Sequence, residues 1–527
     1  MNRAGRLALL SYAIVAAVYT WPLVLRPFSH FPGFPQDHDA HAFLWNNWFI
    51  AHALWQRQSP LHTSMIFAPF GADLRLHTFG LLYGLISSPA IPLIGTVSVL
   101  SIQTLATPVL NGIAIFVLVS RSSGRRDAGF LAGLLFAATP AINFHLTVGR
   151  TACAAIWPLV WAMSAMLDVI DKPSARSIAW LAVWLLAMLL VDQQIAMYGA
   201  IWLSLLGARA LFSGRLSIAS ARAIAIACVV VSVPFVWLYV RPLALQDYTV
   251  PGVSEALVYS YPLSLPWRPA IVWRAYGLVL PLTFLAAAWH MRRDRTLIFW
   301  WVATAVFVIL TLGPAAHVFS VLRLVPGFAQ FRTPYRFQMA AAIGLAVMTG
   351  LLMARASRRA VAIVACVAVL DLLAYRARHP VGVQSMPDEP VYSQIAADPA
   401  DRVVLEVPFG VRTGTDQIGD GEIFTFYQPR HGKRLINGLV GRGPLQALDY
   451  YRRSPALMFL ANLTPPPGNI GADLQAQITA IDVGYIVVHT DRMERAWAEQ
   501  TIALVRALDA VPLETGRPET IAFRLNR

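Results

Sequence analysis

Two carboxylates and two imidazoles interleave within six residues, Gln36-Asp37-His38-Asp39-Ala40-His41. A carboxyl group whose pKa is raised beside lipid can act as a general base and take the proton of a hydroxyl. Asp37 and Asp39 are the candidates for that role. The bland use of the same residues is an N-cap, in which one acid only satisfies free amides at the start of a helix. The sequence leaves both uses open. Asp-x-Asp with His41 close by also suits Mg2+ or Mn2+ better than zinc, so Asp37, Asp39 and His41 form the candidate metal set, on a spacing too loose to be specific.

Further along lie other groups able to hold an anion or a sugar. Asp73, Arg75 and His77 close the same polar stretch; they suit a phosphate or a sugar, or an ion pair within their own loop. Arg332 and Arg336 belong to Phe331-Arg332-Thr333-Pro334-Tyr335-Arg336-Phe337, which leads into an apolar run. A guanidinium there can grip a lipid-linked phosphate through two parallel hydrogen bonds and stabilise it as a leaving group; the alternative is an anchor that snorkels to the membrane surface. Arg150, Asp192 and Arg241 end other segments on the same side, and their convergence is more telling than any one of them. Asp371, inside the last apolar run, is an intramembrane acid and so a functional candidate; pairing with Arg376, or with a neighbouring helix, is its plainer use. The basic turn Tyr427 to Arg434 reads as a solvated turn before a strand, with contact to a polar acceptor or a phosphate as the alternative. Cys153, Cys228 and Cys366 have neither zinc nor redox spacing and read as small buried hydrophobes.

These residues are positioned by a membrane protein. Of the 527 residues 57% are hydrophobic and 13% charged, with a mean hydropathy of +0.55, more apolar surface than a soluble chain of this size could hide. The net charge of +14 is spread over short loops between apolar runs, a topology signal rather than a nucleic-acid footprint. A first run from Leu7 to Leu25 reads as an uncleaved span, followed by an outer loop over 26–77. A helix starting near Asp37 places residues 37, 41, 45, 48, 52 and 55 on one face. That face reads Asp, His, Trp45, Trp, His, Trp, a mixture suited to a helix lying in the membrane interface. Basic loops such as Arg121–Arg126, Arg292–Arg295 and Arg355–Arg359 fall at every second connection and share the cytoplasmic side. Parity then makes Thr78–Gly95, with Ser87, Ser88, Pro89 and Pro92, re-entrant or bent, giving about eleven spans, with ten or twelve as neighbouring counts, and a cytoplasmic N-terminus. From 379 to 527 the chain turns to mixed charge and short β-like runs, Val403–Val407, Ile486–Val488 and Ile521–Phe523, with helical patterns at 446–461 and 493–509. This reads as a small α/β domain outside the membrane. The expected fold is mainly α: a polytopic membrane domain over 1–378 plus that domain.

This layout resembles the GT-C class of membrane glycosyltransferases, through Asp37-His38-Asp39, the aromatic stretch 42–55 with Trp45-Asn46-Asn47-Trp48, the loop ending at His77, and Pro326 to Phe337. It departs from the mannosyl- and aminoarabinosyl-transferase branches, because no His-Pro-Pro or Lys-Pro-Pro follows the first-loop helix. The resemblance implies a multi-pass protein of the bacterial inner membrane serving the cell envelope. Its donor would be a polyprenyl-phosphate sugar, its acceptor a hydroxyl of a glycan, lipid or protein. It further implies Asp37 or Asp39 as base, Arg332, Arg336, Arg150 and Arg75 on the donor phosphate, and His41, Trp45, His77 and Asp73 near the substrate. An already activated donor requires no cofactor, with Mg2+ or Mn2+ as an option. The rival readings are a lipid or glycan transporter, against which the one-sided gathering of polar groups speaks, and a non-catalytic assembly protein.

Overall fold

The computed structural model describes residues 3–245, 251–290, 294–325, 327–466 and 468–526. Arg292 and Arg293 of one expected basic loop, and Pro326, lie outside the described residues. The chain folds as a bundle of apolar helices, which satisfy their backbone polar groups internally as lipid requires. The first is α1 (Arg3–Tyr19). Among the described residues six helices are long and apolar enough to cross a membrane. Two bent pairs, Arg126–Ala137 with Pro140–Thr147 and Pro269–Tyr276 with Val279–His290, bring the number to eight. Three shorter apolar helices, Gly5–Tyr19, Ala175–Val191 and Arg295–Thr311, fall on the remaining expected spans, and the expected eleven is reached only when they are counted.

Between the first loop and the bundle, Thr78–Gly95 forms no straight span. Helix α3 (Leu81–Ser87) has 7 residues, about 10 Å at 1.5 Å per residue, roughly a third of a bilayer's hydrocarbon core. Helix α4 (Ile91–Ser123) follows, broken at Gly95 and ended by Gly124 in the left-handed conformation (φ 70°), where the missing Cβ removes the strain.

Helix α2 (His38–Trp55) differs from the expected interfacial helix: 13 of its 18 residues are buried. Its rings pack inward on protein, and Trp55 in the last turn is the ring left 63% exposed. The cause is that the C-terminal region covers the face that would otherwise meet lipid or water. Short pairings fasten the two: β1 (Phe31–Pro32) runs antiparallel to β2 (Val383–Gln384).

Beyond the last apolar helix, Arg358–Arg378, the chain builds a four-stranded mixed sheet. Its strands are β3 (Val403–Val407), β4 (Val483–His489), β5 (Ala510–Leu513) and β6 (Thr520–Leu525), in the order β5-β6-β4-β3. β3 and β4 are parallel and buried at every residue, as strands covered on both faces should be. The pattern over 446–461 divides into Leu445–Arg452 and Pro455–Leu460 because Ser454 caps the second helix, with Pro455 in its first turn.

Candidate functional site

The acidic motif is held by close backbone approach. Gly149 (φ +77°) packs on Ala40 so tightly that a Cβ there would lie 2.6 Å from the Ala40 Cα; Gly33 (φ +119°) also abuts this alanine, where a Cβ would lie 2.9 Å from the Ala40 Cβ. Clamping Ala40 brings the neighbours of both partners together, and Arg150 Nη2 donates to Asp39 Oδ2 at 2.5 Å. Burial alone would raise the Asp39 carboxyl, but Arg150, with help from Arg336 and Arg412, outweighs it and holds the group below the usual aspartate value. Asp37 does something else. Its Oδ2 accepts the Phe34 amide at 2.6 Å, and although it stands at the N-cap position its side chain caps no helix amide.

The two loop arginines part company. Arg332 donates to Glu255 Oε1 at 2.8 Å and to the Gly414 carbonyl, stapling its loop to the C-terminal region. Arg336 has only a long 3.5 Å contact to the Tyr335 hydroxyl and no ion-pair partner among the described residues. Its charge reaches Asp39, which puts it in the same electrostatic neighbourhood.

The remaining expected residues serve as fastenings. Arg75 pairs through Nε with both oxygens of Asp73 at 3.0 Å. His77 is buried; its Nδ1 accepts the Gly441 amide at 2.8 Å, so Nε2 carries the hydrogen toward Asn46 Oδ1 at 3.0 Å. Burial lowers it to about 4, against the opposing pull of Asp39. His41 lies between Phe31 and Phe426, and burial, then Arg492 and His38, lowers it to about 3. Trp45 stacks on Phe49 at 4.9 Å and donates Nε1 to Gln428 Oε1 at 2.5 Å. Asp37, Asp39 and His41 thus turn to three different neighbours. Among the described residues no three His, Cys, Asp or Glu side chains gather as a metal-ligand set.

Residues that sequence reasoning left aside also belong here. Cys153 Sγ lies 3.6 Å from Asp192 Oδ2, and buried His145 has no hydrogen-bond partner at either ring nitrogen among the described residues. Glu422, from the C-terminal region, meets His38 and Arg412. Asp192 was one of the converging groups and Cys153 a buried hydrophobe on sequence grounds; no local spacing announces His145 or Glu422, which the fold brings toward Arg150 and Arg336 and to His38 respectively. A groove lined by Leu74, Arg75, His77, Leu189, Asp192 and Tyr239 joins polar groups to apolar ones. Chemically the region offers a carboxylate paired with one guanidinium, a second guanidinium without a direct ion pair among the described residues, and an amphiphilic cleft lined by other residues.

No family model and no curated protein matches the chain. Solved structures do. The cryo-EM structure of the arabinofuranosyltransferase AftD from Mycobacteria superposes with a TM-score of 0.62 at 15% identity, over 100% of this chain and 40% of AftD. The crystal structure of the Archaeoglobus fulgidus oligosaccharyltransferase with Zn and sulfate gives 0.51 at 12% identity, over 99% of this chain and 73% of that one. Its apo form gives 0.50 at 11%, over 93% and 69%. At such identities the likeness is one of fold, and this chain spans well under half of AftD.

Proposed function

We propose that this chain, whose fold is that of the GT-C class of membrane glycosyltransferases, moves a sugar from a polyprenyl-phosphate donor to a hydroxyl of a glycan, lipid or protein acceptor, with Asp39 as general base. The observation that carries the reading is the Asp39–Arg150 pair beside Arg336, a guanidinium with no carboxylate of its own among the described residues. Asp39 and Asp192 feel the Arg336 charge without pairing with it, and a guanidinium with no direct ion pair near the membrane suits an added anion. The acceptor oxygen attacks the anomeric carbon, and the bond from that carbon to the phosphate oxygen breaks. The hydroxyl proton passes to Asp39, and the polyprenyl phosphate leaves with the bonding electrons. Arg336 and Arg150 take up the charge that grows on the phosphate. Paired with Arg150, Asp39 is a weak base; a donor phosphate that draws on Arg150 loosens the pair and strengthens the base once donor is bound.

In this reading the isoprenoid tail runs from the phosphate toward the apolar groove residues Leu74, Leu189 and Tyr239. Arg332, the Asp73–Arg75 pair, His41, Trp45 and His77 hold the walls. The alternation of basic loops supports an extracytoplasmic site. The test uses the protein in lipid nanodiscs, a panel of farnesyl-phosphoryl pentoses and hexoses, and octyl glycoside acceptors, with products read by mass spectrometry. Asp39→Asn should abolish transfer and Asp37→Asn retain it, while EDTA leaves the rate unchanged. Full activity in Asp39→Asn ends the assignment.

A further inference from the structure

Three guanidinium groups act on Asp39, and one of them, Arg412, comes from the C-terminal region. Its backbone is fixed in the short strand Val411–Arg412, paired on one side with Gln417–Ile418 and on the other with Gly438–Leu439. Its side chain reaches Glu422, with Nη1 3.5 Å from Oε1. The same oxygen lies 2.9 Å from His38 Nδ1, and His38 precedes Asp39 in the first turn of α2. A fully buried carboxylate thus sets Arg412 beside the helix end that carries the base.

Arg412 is not held as the structural arginines are. Arg517 meets buried Glu389 at 2.6 Å, and Arg332 meets Glu255 at 2.8 Å while also bonding a backbone carbonyl. Among the described residues the Arg412 side chain has one long contact, to Glu422, which already has His38 closer, and it stays 41% exposed. Most of its planar fork of five N–H donors meets no group among the described residues and faces solvent, open to a ligand.

We propose that Arg412 is a ligand-binding residue of the same site: resting on Glu422, it contacts the phosphate diester from the C-terminal side, so that residues 379–527 complete the site. The proposal rests on the functional reading above. The probe is farnesyl methyl phosphate, a diester that keeps one negative charge at neutral pH, titrated against the full-length protein in nanodiscs and followed by intrinsic tryptophan fluorescence. Arg412→Gln should weaken binding about tenfold, the range for losing a hydrogen bond to a charged group. Arg495→Gln is the control. It removes the same charge from an exposed helix, where Arg495 pairs with Glu499, and should leave the affinity within twofold (roughly, for a screened surface charge). Unchanged affinity in Arg412→Gln overturns the proposal, and so does equal weakening in both variants, which would be a field effect. Should Arg412→Gln not be monodisperse, Arg412→Met decides by the same comparison. Arg336→Gln reports on the underlying reading separately: if the wild type binds no probe, or Arg336→Gln binds as the wild type does, that reading fails.

Discussion

Replacing Asp39 by asparagine should do two opposite things. Transfer should fall by at least about a hundredfold, the usual share of a general base. Affinity for a phosphate diester should rise. The size follows from the pair: Arg150 Nη2 holds Asp39 Oδ2 at 2.5 Å, and a phosphate gripped by the same guanidinium would lie roughly 6 Å from the carboxylate, two hydrogen-bond lengths away. At an effective dielectric of about 20 the repulsion of two unit charges at that distance is about 3 kcal/mol. The Asp39 side chain is 44% exposed, so solvent screening about halves it, to about 1.4 kcal/mol or tenfold in affinity. Fluorescence titration of Asp39→Asn with farnesyl methyl phosphate reads this directly. Affinity that stays level or weakens would refute the reasoning, because Arg150 would then be a staple for α2 and not a hand shared with phosphate.

Other perturbations separate positioning from chemistry. Gly149→Ala puts a Cβ 2.6 Å from the Ala40 backbone at a positive φ, and should destabilise by about 2–4 kcal/mol, seen as a lower Tm together with lost transfer. Arg332→Gln should lower Tm by removing the bonds to Glu255 and Gly414, whereas Arg336→Gln should leave Tm level and lose phosphate binding. His77 and His41 are buried neutral, at about 4 and about 3, while the unfolded chain binds their protons near 6.5. Their contribution is therefore complete above about pH 6.5 and fades as pH falls from there toward about 4. The drop in Tm between pH 7 and 5 should be smaller in His77→Gln than in the wild type.

What could be read from sequence was whatever depends on local pattern. Apolar runs located the helices, β-branched runs located β3, β4 and β6, and loop parity singled out Thr78–Gly95, whose α3 is too short to cross. The environment of α2 was not legible. Asn46, Asn47 and His41 look like water-facing tips, yet Asn46 meets His77 and Asn47 exchanges hydrogen bonds with Gln103. A buried amide with its partners in place has the same one-letter code as an exposed one. The pairing of Asp39 with Arg150, and the arrival of Arg412 through Glu422, are long-range facts that no spacing encodes. Asp37 and Asp39 look equivalent on paper because they differ only in which distant group the fold brings to each.

The half-used state of Arg150 leads to one more prediction. Nη2 serves Asp39, while Nε is buried with no hydrogen-bond partner among the described residues. A buried N–H without an acceptor is costly, so the guanidinium gains by finding a second anion without first releasing the carboxylate. The backbone cannot follow, since Gly149 and Gly33 clamp Ala40; any sharing of Arg150 must happen in the side chain. Lysine would keep the charge and the attraction to Asp39 but has no second, geometrically fixed donor. Arg150→Lys should therefore keep its Tm within about 2 °C, a surface-scale change, yet lose most of its transfer activity and bind farnesyl methyl phosphate about tenfold more weakly, the loss of one charge-assisted bond. Wild-type affinity and rate in that variant would mean that charge alone suffices at this position, and the two-handed role of the guanidinium would have to be abandoned.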